Sequence, residues 1–464
     1  MKAYPCILVF TSLVAFSAVA QPDQALTREI FKELIEINTT NSAGNTTKAA
    51  EAMAARLRAA GFSDNDIFIG GPDEKSGNLV ARMKGTGKRK PLLLLAHLDV
   101  VEALRQDWTT DPFKFEEIDG YYYARGSRDD KAMAAIFIAN MVRMKREKFT
   151  PDRDIIVALT DDEEGGDFNG VAWLLENHKE LVDAQYALNE GGGGQEIDGR
   201  KMLNAVQLSE KVYQSFQLEV KNRGGHSSQP RKDNAIYQLT HALDNLSKFD
   251  FPLDLNDGTR AYFERTSRIE SGQLAADMKA VVQPTPDIEA VKRLSQQPGY
   301  NAMLRTTCVA TMINGGHADN ALPQTATATV NCRILPGEDP AKIKATLVGI
   351  FNDSSIVVTE KNPAKISPPS PIDPEVFGPI EKITKQMWNV PVIPTMSTGA
   401  TDGLYFRKAG IPTYGVSGLF SDIKDNRAHG RDERINVKSF YDGQEFLYQL
   451  VKELSSPTKV DRKK

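Results

Sequence analysis

Leu92-Leu93-Leu94-Leu95-Ala96-His97-Leu98-Asp99 is an apolar run that ends in His-x-Asp. A strand with one wet face alternates apolar and polar residues, whereas a run apolar at every position belongs to a strand covered on both faces. The plan recurs at Asp154 to Thr160, which runs into Asp161-Asp162-Glu163-Glu164, and at Ala184 to Asn189, which runs into Glu190. Between these predicted strands, the apolar residues of Ala132 to Lys145 and of Val171 to Asn177 recur at helical spacing. Buried strands alternating with helices predict an α/β fold with a mostly parallel sheet flanked by helices.

Upstream, Thr27 to Ala60 reads as two helices separated by Asn41 to Thr46, with Gly61 as a helix stop, and Asn78 to Met83 reads as a further strand. The rhythm changes after Lys211. Val212 to Val220 alternates as a half-exposed strand, and Asn234 to Leu246 is an amphipathic helix. Leu304 to Ile313, Thr325 to Ile334 and Ile356 to Thr359 are strand-like, and Pro340 to Phe351 is helical. Two helices on a four-stranded sheet is the economical arrangement, with Asp250 to Tyr300, rich in proline, glycine and charge, as an elaboration on it. Past the link Ser367 to Pro374, the helix Glu375 to Trp388 and the strand Thr413 to Val416 resume the first pattern. The expected division is a leader at residues 1–20, a first unit made of 21–211 and 363–464, and an inserted α+β unit at 212–362.

With 57 Lys plus Arg against 61 Asp plus Glu, the chain carries a net charge of -4, which lacks the basic footprint of a nucleic-acid binder. Its 464 residues, 41% hydrophobic and 25% charged, suffice for a sizeable core. Lys2, the apolar stretch Ile7 to Phe16 and the small residues Ala18-Val19-Ala20 form the pattern of a cleavable secretory signal, with maturation near Gln21. The apolar stretch is shorter than the roughly 20 residues a spanning helix needs. The expected product is therefore exported, periplasmic or secreted, and free of the membrane after cleavage. Cys6 precedes the apolar stretch and is poorly placed for lipid attachment. Cys308 and Cys332 remain in the mature chain, and their spacing leaves pairing open.

The chemistry-bearing residues gather at strand ends. His97 and Asp99 share a strand face, so Asp99 can orient the imidazole; a lone histidine at a strand end is also a common structural feature. Asp129 and Asp130 precede the predicted helix at Ala132, where a cap or the helix dipole would equally explain them. The run Asp161 to Glu164 packs four anions together, which demands either solvent or a cation. Glu190 is followed by Gly191 to Gly194, and His429 stands in a late loop. In open α/β sheets ligands bind outside the carboxyl ends of the strands, so these groups converge in one crevice. Two histidines with three carboxylates suit a pair of metal ions sharing one bridging carboxylate.

At these residues the sequence resembles the aminoacylase, carboxypeptidase G and succinyl-diaminopimelate desuccinylase family of dinuclear zinc hydrolases. The resemblance spans essentially the mature chain, and the Asp250 to Tyr300 insertion with the Asn189-Glu190-Gly191-Gly192-Gly193 wording places it nearest the carboxypeptidase S branch. It implies a zinc-exopeptidase-type catalytic domain and an inserted lid or dimerisation domain. It implies one zinc on His97, Asp129 and Glu190, and a second on Asp129, Glu164 and His429, with Asp129 bridging. Cobalt or manganese also suit such mixed sets. Asp99 matches the partner of the first histidine, and Glu163 the general base; exchange of Glu163 with Glu164 is the alternative within this assignment. His226, in Arg223-Gly-Gly-His226, matches a residue that stabilises the oxyanion, in many relatives within the partner subunit. Asn320 and Arg333 match positions that bind the substrate carboxylate, for which the planar guanidinium is apt. Gly399, in Ser397-Thr-Gly399, matches the substrate-side glycine loop, with Asp402 as a loop organiser. Ala132 departs from the family's usual glycine after Asp-x-Lys.

The expected activity is that of a metal-dependent exopeptidase, of carboxypeptidase or dipeptidase type, on small peptides with a free carboxylate. An N-acyl amino-acid amidohydrolase differs only in the acyl-side pocket. A metal-free binding protein on a decayed fold would lack ligands or base, and here all are present. The enlarged insertion leaves monomer and homodimer both open.

Overall fold

The computed structural model describes residues 22–166 and 168–456; the expected leader, with Cys6 and the Gln21 boundary, lies outside the described residues. Leu92–His97 forms a strand at the centre of a ten-stranded sheet, parallel to Ile155–Thr160 on one side and to Tyr186–Asn189 on the other. Its alternate side chains explain the unbroken apolar run. Leu92, Leu94 and Ala96 enter a core shared with the helices Pro22–Glu36, Thr46–Ala59, Lys131–Arg146, Pro374–Trp388 and Val437–Leu454. Leu93 and Leu95 point the other way, into a second core with Val171, Leu174 and Phe406 from helices on the opposite face. Each fully buried leucine contributes about 1.5–3 kcal/mol, which fixes both the register and the two-sided burial.

The parallel centre is flanked by antiparallel strands. Asn78–Met83 pairs with Ile155–Thr160 on one flank, and Arg200–Glu210 joins Thr413–Gly415 on the other. Val392–Ser397 runs parallel to Arg200–Glu210. Lys211 then leads directly into Val212–Lys221, the first strand of a separate four-stranded sheet with Thr307–Gly315, Thr325–Ile334 and Ile356–Glu360. The helices Ala235–Ser247 and Pro340–Phe351 contribute Leu239, Ile343 and Leu347 to its core.

The 250–300 stretch differs from its expected place. Its four helices, running from Asp257 to Leu304, build a core that includes Met396 of the large sheet, and Arg265 donates to the Val392 carbonyl at 3.0 Å. Phe263, Met278 and Val281 are fully buried there. The elaboration thus packs against the large sheet as well as against Leu335 at the end of the small-sheet strand Thr325–Ile334. Residues 298–304 are helical, with Pro298 in the first turn, so the following strand starts at Thr307 rather than Leu304. Cys308 and Cys332, directly opposed in neighbouring antiparallel strands, form a disulfide with Cα atoms 4.0 Å apart.

Candidate metal centre

The three central strands are parallel and adjacent, so the residues that follow each emerge at one carboxyl edge. His97 closes the first of these strands. Its Nδ1 lies 3.0 Å from the Asp99 carbonyl and 3.4 Å from the Asp99 carboxylate, leaving Nε2 to face Asp129. A ring nitrogen anchored on a backbone carbonyl carries the proton, which makes Nε2 the lone-pair donor. The Asp99 carboxylate also accepts the backbone N–H groups of Glu163 at 3.2 Å and Glu164 at 2.9 Å.

The four-acid run divides at this point. Asp162 adopts φ +57°, and its side chain accepts the Phe168 N–H at 3.1 Å, while Asp402 accepts from Thr160 at 3.0 Å and Asn169 at 2.6 Å. Glu163 and Glu164 turn into the crevice. Asp402 thereby ties the 399–403 loop to the strand end.

The Asp129 loop is held by a residue the sequence reading passed over. Glu433 is fully buried, pairs with Arg125 at 2.6 Å, and accepts the backbone N–H groups of Gly126 at 3.2 Å, Arg128 at 2.8 Å and Asp129 at 3.2 Å. Asp130 stands at the start of the helix yet caps nothing, and its buried Oδ2 has no hydrogen-bond partner.

Asp129 shares its two oxygens between the two histidines. Oδ1 lies 3.0 Å from His97 Nε2 and Oδ2 lies 3.2 Å from His429 Nε2; the latter nitrogen is also 2.9 Å from Glu164 Oε1. Ligand-type atoms of His97, Asp129 and Glu164 lie within 4.8 Å of one another, as do those of His97, Glu163 and Glu190. The predicted ligands therefore meet in one cluster, with Glu163 against the His97 and Glu190 side and Glu164 against His429.

The crowding of these acids shows in their electrostatics. Burial, with Glu190, Asp402 and Glu164 nearby, pushes Glu163 up to about 10; burial and Asp129 push Glu164 up to about 7; burial and Asp129 raise Glu190 well above its ordinary value. Burial drives His97 down, but Asp129 and Asp99 hold it well above the usual imidazole value. The hydrogen bond to Asp129 takes His429 up to about 9. Carboxylates crowded until they hold protons, with two imidazole nitrogens facing the same point, match the donor set of a divalent-ion site once those protons leave, and the orphaned Asp130 oxygen beside it fits the same reading.

The remaining predicted residues sit elsewhere. His226 and Asn320 meet on a small exposed ribbon, where the Ser227 N–H donates to the Asn320 carbonyl at 3.0 Å and His226 pairs in register with Ala321. Among the described residues, no hydrogen bond or ion pair links that ribbon to the cluster. Arg333 packs over Tyr213, 4.8 Å from the ring centroid, and donates to the Thr398 carbonyl at 3.0 Å, which sets it against the Gly399 loop. A cleft of about 400 Å³ adjoins the cluster, lined by Arg128, Asp129, Glu190 to Gly194 and Ser397 among others. His178 lies away from the cluster, half-buried against Phe68 and Trp173.

The profile of peptidase family M20/M25/M40 matches residues 93–453. A probable carboxypeptidase S-like protein of Dictyostelium discoideum is 30% identical over 387 residues, covering 81% of this chain and 74% of its own length. N-fatty-acyl-amino acid synthase/hydrolase PM20D1 of Homo sapiens is 25% identical over 462 residues, covering 94% and 89%. Among solved structures, an M20 family metallo-carboxypeptidase of Sulfolobus solfataricus aligns with a TM-score of 0.67 at 18% identity, over 92% of this chain and 99% of that one. A dinuclear metal-binding M20 peptidase of Bacillus subtilis aligns with a TM-score of 0.60 at 12% identity, over 93% and 98%.

Proposed function

Because this chain belongs to peptidase family M20/M25/M40 and is a metal-dependent hydrolase, we propose that it is an exopeptidase of carboxypeptidase or dipeptidase type with two zinc ions. His97, Glu190 and Asp129 would hold the first ion, and Asp129, Glu164 and His429 the second. When bound, the ions supply a Lewis acid that polarises the scissile carbonyl and acidifies water. Glu163 takes the proton of the attacking water and returns it to the leaving amine. Asp99 holds His97 and the Glu163 to Glu164 turn in place. Arg333, Asn320 and the Gly399 backbone receive the substrate's free carboxylate.

The single observation that carries this reading is the geometry of Asp129, one oxygen toward each histidine, with Glu163 beside the cluster but unpaired with His429. The proposed catalytic domain is 21–211 with 363–464, and the lid or dimerisation domain is 212–362. Export is supported by the Cys308–Cys332 disulfide, since such bonds persist in oxidising compartments. A homodimer is supported by the edge strand Thr307–Gly315, whose Val309, Met312 and Ile313 are 60%, 64% and 60% exposed. Such a partner would bring His226 to the oxyanion.

The test is hydrolysis of free dipeptides, C-terminally amidated dipeptides and N-acetyl amino acids by protein of measured metal content. Turnover confined to free dipeptides, with about two ions per chain, is the expected outcome. Preference for acetylated substrates would move the reading to an N-acyl amino-acid hydrolase, which the name of the human relative favours. Absence of bound metal would sink both.

A further inference from the structure

One cation at the cleft has no part in the reaction described above. Arg128 immediately precedes Asp129, its backbone fixed on Glu433, and it lines the 400 Å³ cleft beside Glu190. Its side chain makes no hydrogen bond or ion pair among the described residues. The carboxylates whose charge reaches it are Glu433, Asp129 and Asp425, and each is engaged elsewhere. Glu433 pairs with Arg125 at 2.6 Å, Asp425 pairs with Arg427 at 2.7 Å and Arg434 at 2.5 Å, and Asp129 faces the two histidines. A guanidinium keeps its charge and presents five N–H donors in a planar fork, so a half-buried one without a partner is a site for an anion.

The rest of the cleft wall fits a short polar group. Gln195, Thr395, Ser421 and Asn426 contribute amides and hydroxyls, beside the apolar Met133, Leu419 and Ile423. Ser397 borders the same cleft, and the carbonyl of the next residue, Thr398, accepts from Arg333 of the four-stranded unit at 3.0 Å.

We propose that Arg128 binds a carboxylate on the acyl half of the substrate, beyond the scissile carbonyl from the carboxylate received by Arg333. The preferred substrates are then dianions: peptides with an acidic residue before the scissile bond, or amino acids acylated by a short dicarboxylic acid. The specificity rests on the hydrolase reading above, although the anion site itself does not.

The experiment compares wild type, Arg128→Gln and Arg128→Lys on matched pairs: Glu-Ala against Gln-Ala, and succinyl-alanine against succinamoyl-alanine. Wild type should favour each acid over its amide by about tenfold or more in kcat/KM, Arg128→Gln should bring the ratio near one, and Arg128→Lys should keep part of it. The first pair reports an acidic residue and the second a dicarboxylic acyl group. In parallel, glutarate and its half-amide are titrated calorimetrically into each metal-loaded protein; glutarate affinity should fall about tenfold on Arg128→Gln, and that of the half-amide should not. Acid and amide treated alike by wild type in both assays would overturn the proposal even if a variant fails to fold. If no pair is hydrolysed while glutarate binding still depends on Arg128, the exopeptidase reading falls and the anion site stands.

Discussion

Asp99 accepts the backbone N–H of Glu164 at 2.9 Å while its own carbonyl anchors His97 Nδ1 at 3.0 Å. One residue therefore sets both a proposed ligand of the first ion and the turn that carries the proposed base and a proposed ligand of the second. Asn at this position would direct an amide N–H at one of two backbone donors, losing one hydrogen bond and adding a repulsion, at a cost of about 1–3 kcal/mol. Asp99→Asn is expected to lower metal content and kcat together. A variant with full metal occupancy and unchanged kcat would show that the turn holds without the carboxylate.

Glu163→Gln removes a proton acceptor without removing a proposed ligand. Turnover is expected to fall by roughly 10²–10⁴-fold, the usual worth of general acid–base catalysis, with close to wild-type metal content by elemental analysis. Loss of one equivalent of metal would instead make Glu163 the ligand and Glu164 the base.

The strands legible in the sequence are those whose burial is purely apolar. Leu92–His97 announces itself because both its faces meet hydrocarbon. Arg200–Glu210 does not, although its last seven residues are buried, because polar side chains are satisfied inside: Asn204 donates to Thr384 at 2.9 Å, Gln207 donates to Glu210 at 2.8 Å, and Glu210 pairs with Arg407. The same limit applies at the site. His97, Asp129 and Glu190 stand at strand and helix ends where a pattern can find them, whereas Glu433 acts through backbone N–H groups some 300 residues distant in the chain, and nothing in its local sequence marks that contact. Arg128 was legible as a residue and not as a free cation, since its lack of a partner depends on where Asp425 and Glu433 turn.

Arg333→Ala should weaken discrimination between free and amidated peptides more than it slows the chemistry. The guanidinium already leans on the Thr398 carbonyl and Tyr213, so it is preorganised for a carboxylate. The expected result is a KM raised by about tenfold or more on free peptides and little change on amides. Equal losses on both would assign Arg333 to holding the two units together.

The disulfide joins strands that already pair, so its removal should cost stability rather than fold. Cys308 and Cys332 are separated by 24 residues, a loop for which cross-linking contributes on the order of 3 kcal/mol. Cys308→Ser with Cys332→Ser should lower the denaturant midpoint, and reductant should shift the wild type toward the variant while leaving the variant where it is. Two free thiols titrated in the oxidised native protein would remove the bond.

Lys211 gives a pH dependence of definite sign. It is buried between the strands Arg200–Glu210 and Val212–Lys221, its ammonium donating to the Arg305 carbonyl at 2.7 Å and to Thr307 at 3.3 Å. Burial pushes it down to about 7, against Glu338 and with Arg333. Between about 7 and the ordinary 10.5 the unfolded chain binds the proton and the folded chain does not, so stability rises with pH across that window, and below it the full cost of burying charge is present. Lys211→Met abolishes that slope. It also strands the Arg305 carbonyl, at a cost of about 1–3 kcal/mol that does not vary with pH, so the diagnostic is the trend and not the offset. The melting temperature of Lys211→Met minus that of wild type should be highest below neutrality and decline steadily toward alkaline pH. Parallel melting curves across the window would mean that Lys211 stays charged in the fold, held by the carbonyl and by Glu338.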